Sequence, residues 1–245
     1  MASILPSNWP LPEIFRQRLG ETVGRQRAMF HEAHLLLVLH EVPEPGVPER
    51  VGVFFWRSPE GKWKTNLSGA GLPGLRELIR RYAARVDALE AAYGDATSAK
   101  ALFPILRAST PIVRAAKHVR EVLQSARESV RSDRDIINLR DLAGEVERAA
   151  ELLNEEAKTA LEFDIAEAAQ EATRINSELA EAGQRLNLLA AMFLPLTAVA
   201  SVFGMNLPSG LEKVLTPTLF WLVLLAGIFV GYVIRNRLGG TNAQS

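Results

Sequence analysis

Between Pro111 and Pro195 the chain carries no proline and only two glycines, Gly144 and Gly183. Much of this stretch is Ala, Glu, Leu and Arg, residues that lose little on entering a helix. Its apolar residues repeat. Leu161, Ile165, Ala168, Ala172, Ile175, Leu179, Ala182 and Leu186 step by four and three without a break, which is a heptad seam. An earlier seam runs Leu139, Leu142, Val146, Ala149 and Leu153, and joins the later one through Ala157 by consecutive steps of four, a stutter. One helix from about residue 135 to 203 would be roughly 100 Å long. A small domain cannot cover the whole seam of such a helix, so the seam calls for partner helices from the same chain or from other copies.

The second seam runs into an apolar stretch. Residues 186–203, LNLLAAMFLPLTAVASVF, hold no charge, and neither do residues 218–234, TLFWLVLLAGIFVGYVI, with Trp221 and Tyr232 near the ends. A spanning helix needs about 17–25 apolar residues, and Trp and Tyr favour the interfaces. Two membrane spans are expected. Lys213 in the connecting loop is offset by Glu212, whereas Arg174 and Arg185 precede the first run and Arg235 and Arg237 follow the second. That bias places both termini in the cytoplasm and the loop outside. The N-terminus has no basic stretch followed by an apolar core, so no signal peptide is expected. Pro195 inside the first run should kink the helix toward protein or water rather than lipid.

Upstream, residues 35–42, 51–57 and 62–66 read as strands, the last two joined by the turn SPEG. Helices are expected over 13–30, 74–93 and about 112–130. These make a small α+β domain. GAGLPG at 69–74 matches G-x-G-x-x-G literally, but it follows a hairpin strand and lacks a βαβ frame, so it reads as a turn and helix start. His31 and His34, with Glu32 between them and His40 nearby, are a possible metal set but read better as surface or packed histidines.

Charge and composition narrow the function. The 28 basic and 28 acidic residues cancel, which argues against a nucleic-acid binder. Residues 1–140 carry a net +6 and residues 141–185 a net −8, so the segments differ in role. Glu151, Glu155, Glu156, Glu162, Asp164, Glu167, Glu171, Glu178 and Glu181 crowd the outward face of the long helix, either as a solvated face or as a field that gathers cations. There is no cysteine, which excludes disulfides, thiolate metal sites and Cys nucleophiles. No Ser/His/Asp set, HExxH motif or phosphate-binding loop appears, and no enzyme is expected.

Gly204, Met205 and Asn206 end the first apolar run. Glycine permits a left-handed helix end or close backbone approach. Asn206 adds a carbonyl oxygen without a charge. A ring of such oxygens could accept hydrogen bonds from the water shell of a cation, without stripping an ion as reluctant to dehydrate as Mg²⁺. On the residues alone, a plain helix end explains the tripeptide equally well.

MFLPLTAVASVFGMN, 192–206, followed by a short loop and a second apolar run, resembles the CorA family of divalent metal-ion transporters, through Pro195, Leu196, Thr197 and the Gly204-Met205-Asn206 signature. The resemblance covers roughly 135–238. It implies a cytoplasmic α+β domain over 1–134, a stalk helix over 135–185, a first transmembrane helix over 186–206, an outer loop over 207–217, a second transmembrane helix over 218–234 and a cytoplasmic tail over 235–245. The assembly it implies is a homopentameric funnel in the inner membrane, in contact with the lipid bilayer. Ser201, Thr197, Leu194, Ala190, Leu186 and Gly183 would line the pore. Leu194 and Leu186 would be apolar constrictions, Thr197 a hydroxyl ring and Asn206 the filter holding a hydrated ion. No permanent cofactor is implied; Mg²⁺, or Co²⁺, Ni²⁺ or Zn²⁺, is cargo. The chain departs from the family in its outer loop LPSGLEKVLTP, in Ala180 and Gly183 at the inner mouth, and in a tail with only two arginines. A proton-coupled zinc transporter and a non-conducting pentameric scaffold are the alternatives.

Overall fold

The computed structural model describes residues 4–204 except 48, 68 and 70, and residues 221–233 except 223 and 230. Side chains at 199 and 202–204 also lie outside that description. The chain divides into two compact units, Met1–Ala166 and Glu167–Ser245. In order along the chain stand α1 (Glu13–Gln17), β1 (Arg27–His31), β2 (His34–His40), β3 (Gly52–Arg57), β4 (Trp63–Thr65), α2 (Gly71–Gly94), α3 (Ala99–Ser129) and α4 (Arg134–Gly204).

The first unit is a four-stranded antiparallel sheet in the order β1-β2-β3-β4, with α2, α3 and the start of α4 on one face. In β2 and β3 every second side chain turns to that face. Leu35, Leu37, Leu39, Val53 and Phe55 share one core with Leu78, Ile79 and Tyr82 of α2, Ile112 and Leu123 of α3, and Leu139 of α4. The alternate set, Leu36, Val38, Phe54 and Trp56, meets Leu5, Trp9 and Phe15 from the N-terminal segment. Trp9 stacks on Trp56 at 6.0 Å between ring centroids. Both faces are covered, which is why LLLVL and VFFW read as unbroken apolar runs instead of alternating ones.

A helix was expected over 13–30; only α1 forms there, and residues 27–31 are strand β1. His31 pairs with His34 across a two-residue turn in which Glu32 and Ala33 both take positive φ, 48° and 62°. That is the hairpin geometry that matches strand twist. It is usually marked by Asn-Gly; with Glu-Ala the signal was missing. The open edge of β2 supplied what local preference did not, since β1 satisfies its backbone groups there. Helix α3 also starts earlier than expected. Pro104 and Pro111 lie inside it. Around Pro111, the Ser109 and Thr110 hydroxyls donate to Leu106 O, and Asn154 of α4 donates to both, at 2.7 and 3.2 Å.

Gly71, the first residue of α2, sits against β4. A Cβ there would lie 2.5 Å from the Trp63 carbonyl carbon, so the GAGLPG segment is a close-packed helix start. Helix α4 is anchored at its own start. Asp133 Oδ1 accepts from the backbone N–H of Asp135 and Ile136, at 3.1 and 3.4 Å, as an N-cap does. Its Oδ2 accepts from Arg57 Nε at the end of β3, at 2.8 Å, with both side chains largely buried. Arg120 of α3 donates to Glu147 of α4, a second pairing with a buried carboxylate.

The second unit holds the rest of α4 and helical residues at 221–222, 224–229 and 231–233. The two glycines of the latter, Gly227 and Gly231, lie against α4. A Cβ on Gly231 would lie 3.5 Å from Met192 O, and one on Gly227 would lie 3.3 Å from Leu196 Cδ1. Gly-x-x-x-Gly at a helix contact lets two backbones approach closely.

Among the described residues no helix is long and apolar enough to cross a membrane. The two runs expected to span, 186–203 and 218–234, are described only in part, since residues 218–220, 223, 230 and 234 and the side chains of 199, 202 and 203 are outside the description. Met205, Asn206, the loop at 207–217 and the tail at 235–245 lie outside it as well.

Two outcomes follow from this packing. Asp133→Ala removes a cap and leaves Arg57 without its carboxylate, so it should cost about 2–3 kcal/mol in denaturant unfolding of the chain in detergent. Asp133→Asn, which retains capping, should cost less; equal stability of Asp133→Ala and the unchanged chain would refute the anchoring role. Gly231→Ala should be tolerated, because its Cβ would make ordinary contact with Met192, whereas Gly231→Leu should lower the thermal midpoint in detergent by forcing the two helices apart.

Candidate functional site

Helix α4 changes surroundings along its length. Ile136, Leu139, Ala143, Val146, Ala150, Leu153 and Ala157 are buried in the first unit. Beyond Ala157 the seam emerges. Ile165, Ile175, Leu179 and Leu186 are exposed, the last two at 65% and 67%. Exposing one large apolar side chain is ordinary; exposing a regular seam of them on one helix is the signature of a surface that another helix covers.

Further along α4, Gly183, Leu186, Ala190, Leu194, Thr197 and Ser201 fall within an arc of about 80° at 100° per residue. All are exposed except half-buried Gly183. Met192 and Leu196, the residues facing Gly231 and Gly227, are centred about 140° round the helix from that arc. The candidate stripe therefore points away from the face that the C-terminal helical residues occupy. No residue of the stripe is charged.

The hydroxyl of Thr197 is already committed as a donor. Its Oγ1 lies 2.9 Å from Phe193 O and 3.0 Å from Leu194 O. This is the i−4 and i−3 back-bonding usual for a threonine inside a helix. What remains on Thr197 is acceptor capacity. Water bound to a cation turns its hydrogens outward, so an acceptor is what a hydrated cation requires and a bare anion does not.

Below the stripe four of the nine acids named above, Glu162, Glu171, Glu178 and Glu181, pair with bases along the helix. Arg174 binds Glu171 and Glu178, each at 2.7 Å, and Lys158 and Glu162 approach to 3.7 Å. The Arg174 hydrogen bonds hold the Glu171 carboxyl below its ordinary range. These exposed pairs are worth little individually.

The histidines do not converge. His34 Nδ1 accepts from Trp56 Nε1 at 3.1 Å and stacks on that ring, whereas His31 meets the edge of Phe15. His40 Nε2 donates to Gly24 O at 2.9 Å, and burial lowers its pKa from the ordinary value. Among the described residues no three His, Cys, Asp or Glu side chains are grouped to hold a metal.

Gly204 closes α4, and the other two members of the tripeptide, Met205 and Asn206, are not among the described residues. Sequence reasoning passed over Gly227 and Gly231, although Gly-x-x-x-Gly within an apolar run was a legible sign of close helix contact. It also passed over the Arg57–Asp133 anchor, for which no local signal existed.

Comparison with known proteins places this arrangement. No protein of curated function matches the sequence. Among solved structures, that of the full-length CmaX protein superposes with a TM-score of 0.54 at 19% identity, covering 93% of this chain and 81% of the other. The CorA magnesium transporter from Methanocaldococcus jannaschii gives a TM-score of 0.38 at 14% identity over 87% of this chain and 79% of its own. The first likeness is one of fold. The model of the CorA-like Mg²⁺ transporter protein family matches residues 72–235, about two thirds of the sequence and all of α2, α3 and α4 bar the first residue of α2. The chain belongs to the CorA-like Mg²⁺ transporter family, a family of membrane transporters of divalent cations and not of enzymes.

Proposed function

We propose that this chain conducts divalent cations, Mg²⁺ first among them, through a homopentameric pore lined by α4. Five copies would turn Gly183, Leu186, Ala190, Leu194, Thr197 and Ser201 to a common axis, with Gly204, Met205 and Asn206 at the outer mouth. The observation that carries the reading is the geometry of α4: its uncharged stripe is exposed, and the residues that meet Gly227 and Gly231 lie elsewhere on the helix. Such a stripe suits an ion that keeps its water. Thr197 and Ser201 offer acceptors to the hydration shell, and Leu186 and Leu194 offer constrictions that close by dewetting. A fixed carboxylate ring would bind a dehydrated ion more tightly and release it more slowly.

In this proposal residues 186–206 and 218–234 cross the inner membrane, residues 207–217 lie outside, and the tail and the first unit lie in the cytoplasm. The acids of residues 141–185 would gather cations near the inner mouth. Proton-coupled zinc transport is less well supported, since residues 186–206 contain no titratable side chain to relay a proton.

The test is flux of Mg²⁺, Co²⁺, Ni²⁺ and Zn²⁺ into liposomes holding the purified chain. Mg²⁺ flux blocked by hexamminecobalt, which cannot exchange its ligands, is the expected result; a chain that assembles and passes none of the four is a scaffold instead. Asn206→Ala should lower flux about tenfold or more while native mass stays that of the intact assembly, because each hydrogen bond to the ion's water is worth about 1.5–3 kcal/mol. Asn206→Asp should bind cations more tightly and release them more slowly. Flux unchanged in Asn206→Ala would reduce the tripeptide to a helix end.

A further inference from the structure

We infer that two grooves on the first unit are the two halves of one head-to-tail contact between neighbouring copies of this chain. The inference rests on the oligomeric reading of α4 and deepens it by naming the surfaces that meet.

The first groove lies between α2 and α3 and has a volume of about 530 Å³. Its floor includes Leu89 and Ile105, both buried, and Phe103 stands at its edge with 60% of its surface exposed. Its charged groups are Arg85 and Arg107. The second groove, of about 870 Å³, lies where the turn between α2 and α3 meets α4. Leu152 and Phe163 of α4 line it, 57% and 68% exposed, and its charged groups are Glu155, Glu156 and Asp164. The two grooves share no residue. Leu102 faces one and Phe103 the other, so the first turns of α3 divide them.

Each groove pairs an exposed aromatic ring with charges of a single sign, and the signs are opposite. None of these five charged side chains makes an ion pair with another described residue. Arginine and aromatic side chains are the ones that interfaces favour. Putting like groove on like would bring three carboxylates against three, or two guanidiniums against two, and juxtaposed like charges are costly. Putting one groove on the other pairs guanidinium with carboxylate and buries both phenylalanine rings. A contact between two different patches of the same chain is heterologous, and it forms a ring when its repeated rotation closes, as the oligomer proposed above requires. The occupant of each groove is therefore the opposite groove of the next copy.

The absence of cysteine from the chain makes the test direct. Two differently tagged full-length versions, one carrying only Phe103→Cys and the other only Phe163→Cys, are co-expressed and oxidised in detergent. A disulfide between the two versions, with none within either version alone, is the expected result. A Phe163→Cys self-linked dimer, or no link at all in an assembly whose native mass is intact, overturns the inference and leaves the pore reading standing. A monomeric mass for the unmodified chain removes the oligomer itself, a distinguishable failure. Independently, Arg107→Glu should weaken assembly about tenfold, and adding Glu156→Arg should restore it, as for a charge pair made repulsive and then reversed. Assembly indifferent to Arg107→Glu would overturn the role given to charge.

Discussion

The seam of α4 is covered by its own domain only as far as Ala157. Up to Ala157 it completes the core of the first unit, with Ile136, Leu139, Val146 and Leu153 buried against α2, α3 and the sheet. Past that point the same kind of seam continues with Ile165, Ile175, Leu179 and Leu186 exposed. The stutter at Ala157 marks the change. Steps of four rotate an apolar stripe relative to the heptad line, so the residues before and after Ala157 do not address the same direction. The consequence is a helix whose first part is held by its own domain and whose later part offers an unpaired stripe.

The start of α4 is held firmly in the first unit. Asp133 performs two tasks with one carboxylate: one oxygen caps the helix and the other receives Arg57 from the end of β3. The sheet is itself fixed from both faces, by the helices on one side and by Leu5, Trp9 and Phe15 on the other. Arg120 with Glu147, and Asn154 with Ser109 and Thr110, tie α4 to α3 at two further heights. These polar ties are directional, unlike the apolar packing around them, and so they set the rotation of α4 about its own axis.

In the second unit the uncharged stripe of α4 falls on a narrow arc. Thr197 and Ser201 share that arc with Leu186 and Leu194, and Met192 and Leu196 face the two glycines elsewhere on the helix. The hydroxyl of Thr197 spends its hydrogen on the Phe193 and Leu194 carbonyls.

Much of this was legible in the sequence, because its sources are periodic or local. The heptad steps, the proline-free stretch and the alternation within the strands are properties of neighbouring residues, and they determined that a long helix follows an α+β domain. The apolar runs and Gly204-Met205-Asn206 prompted the resemblance, of which the family alone is borne out. Tertiary structure alone decided the rest. Residues 27–31 became a strand because the edge of β2 needed a partner, even though Glu32 and Ala33 do not advertise a turn. Pro104 and Pro111 did not end α3, where packing outweighed their local cost. Arg57 and Asp133 lie 76 positions apart, and nothing in their neighbourhoods reveals that they meet. Local preferences amount to fractions of a kcal/mol for an ordinary residue and about 3 kcal/mol for a proline inside a helix, whereas burial and the pairing of otherwise exposed backbone groups sum over many residues and act between positions distant in the chain.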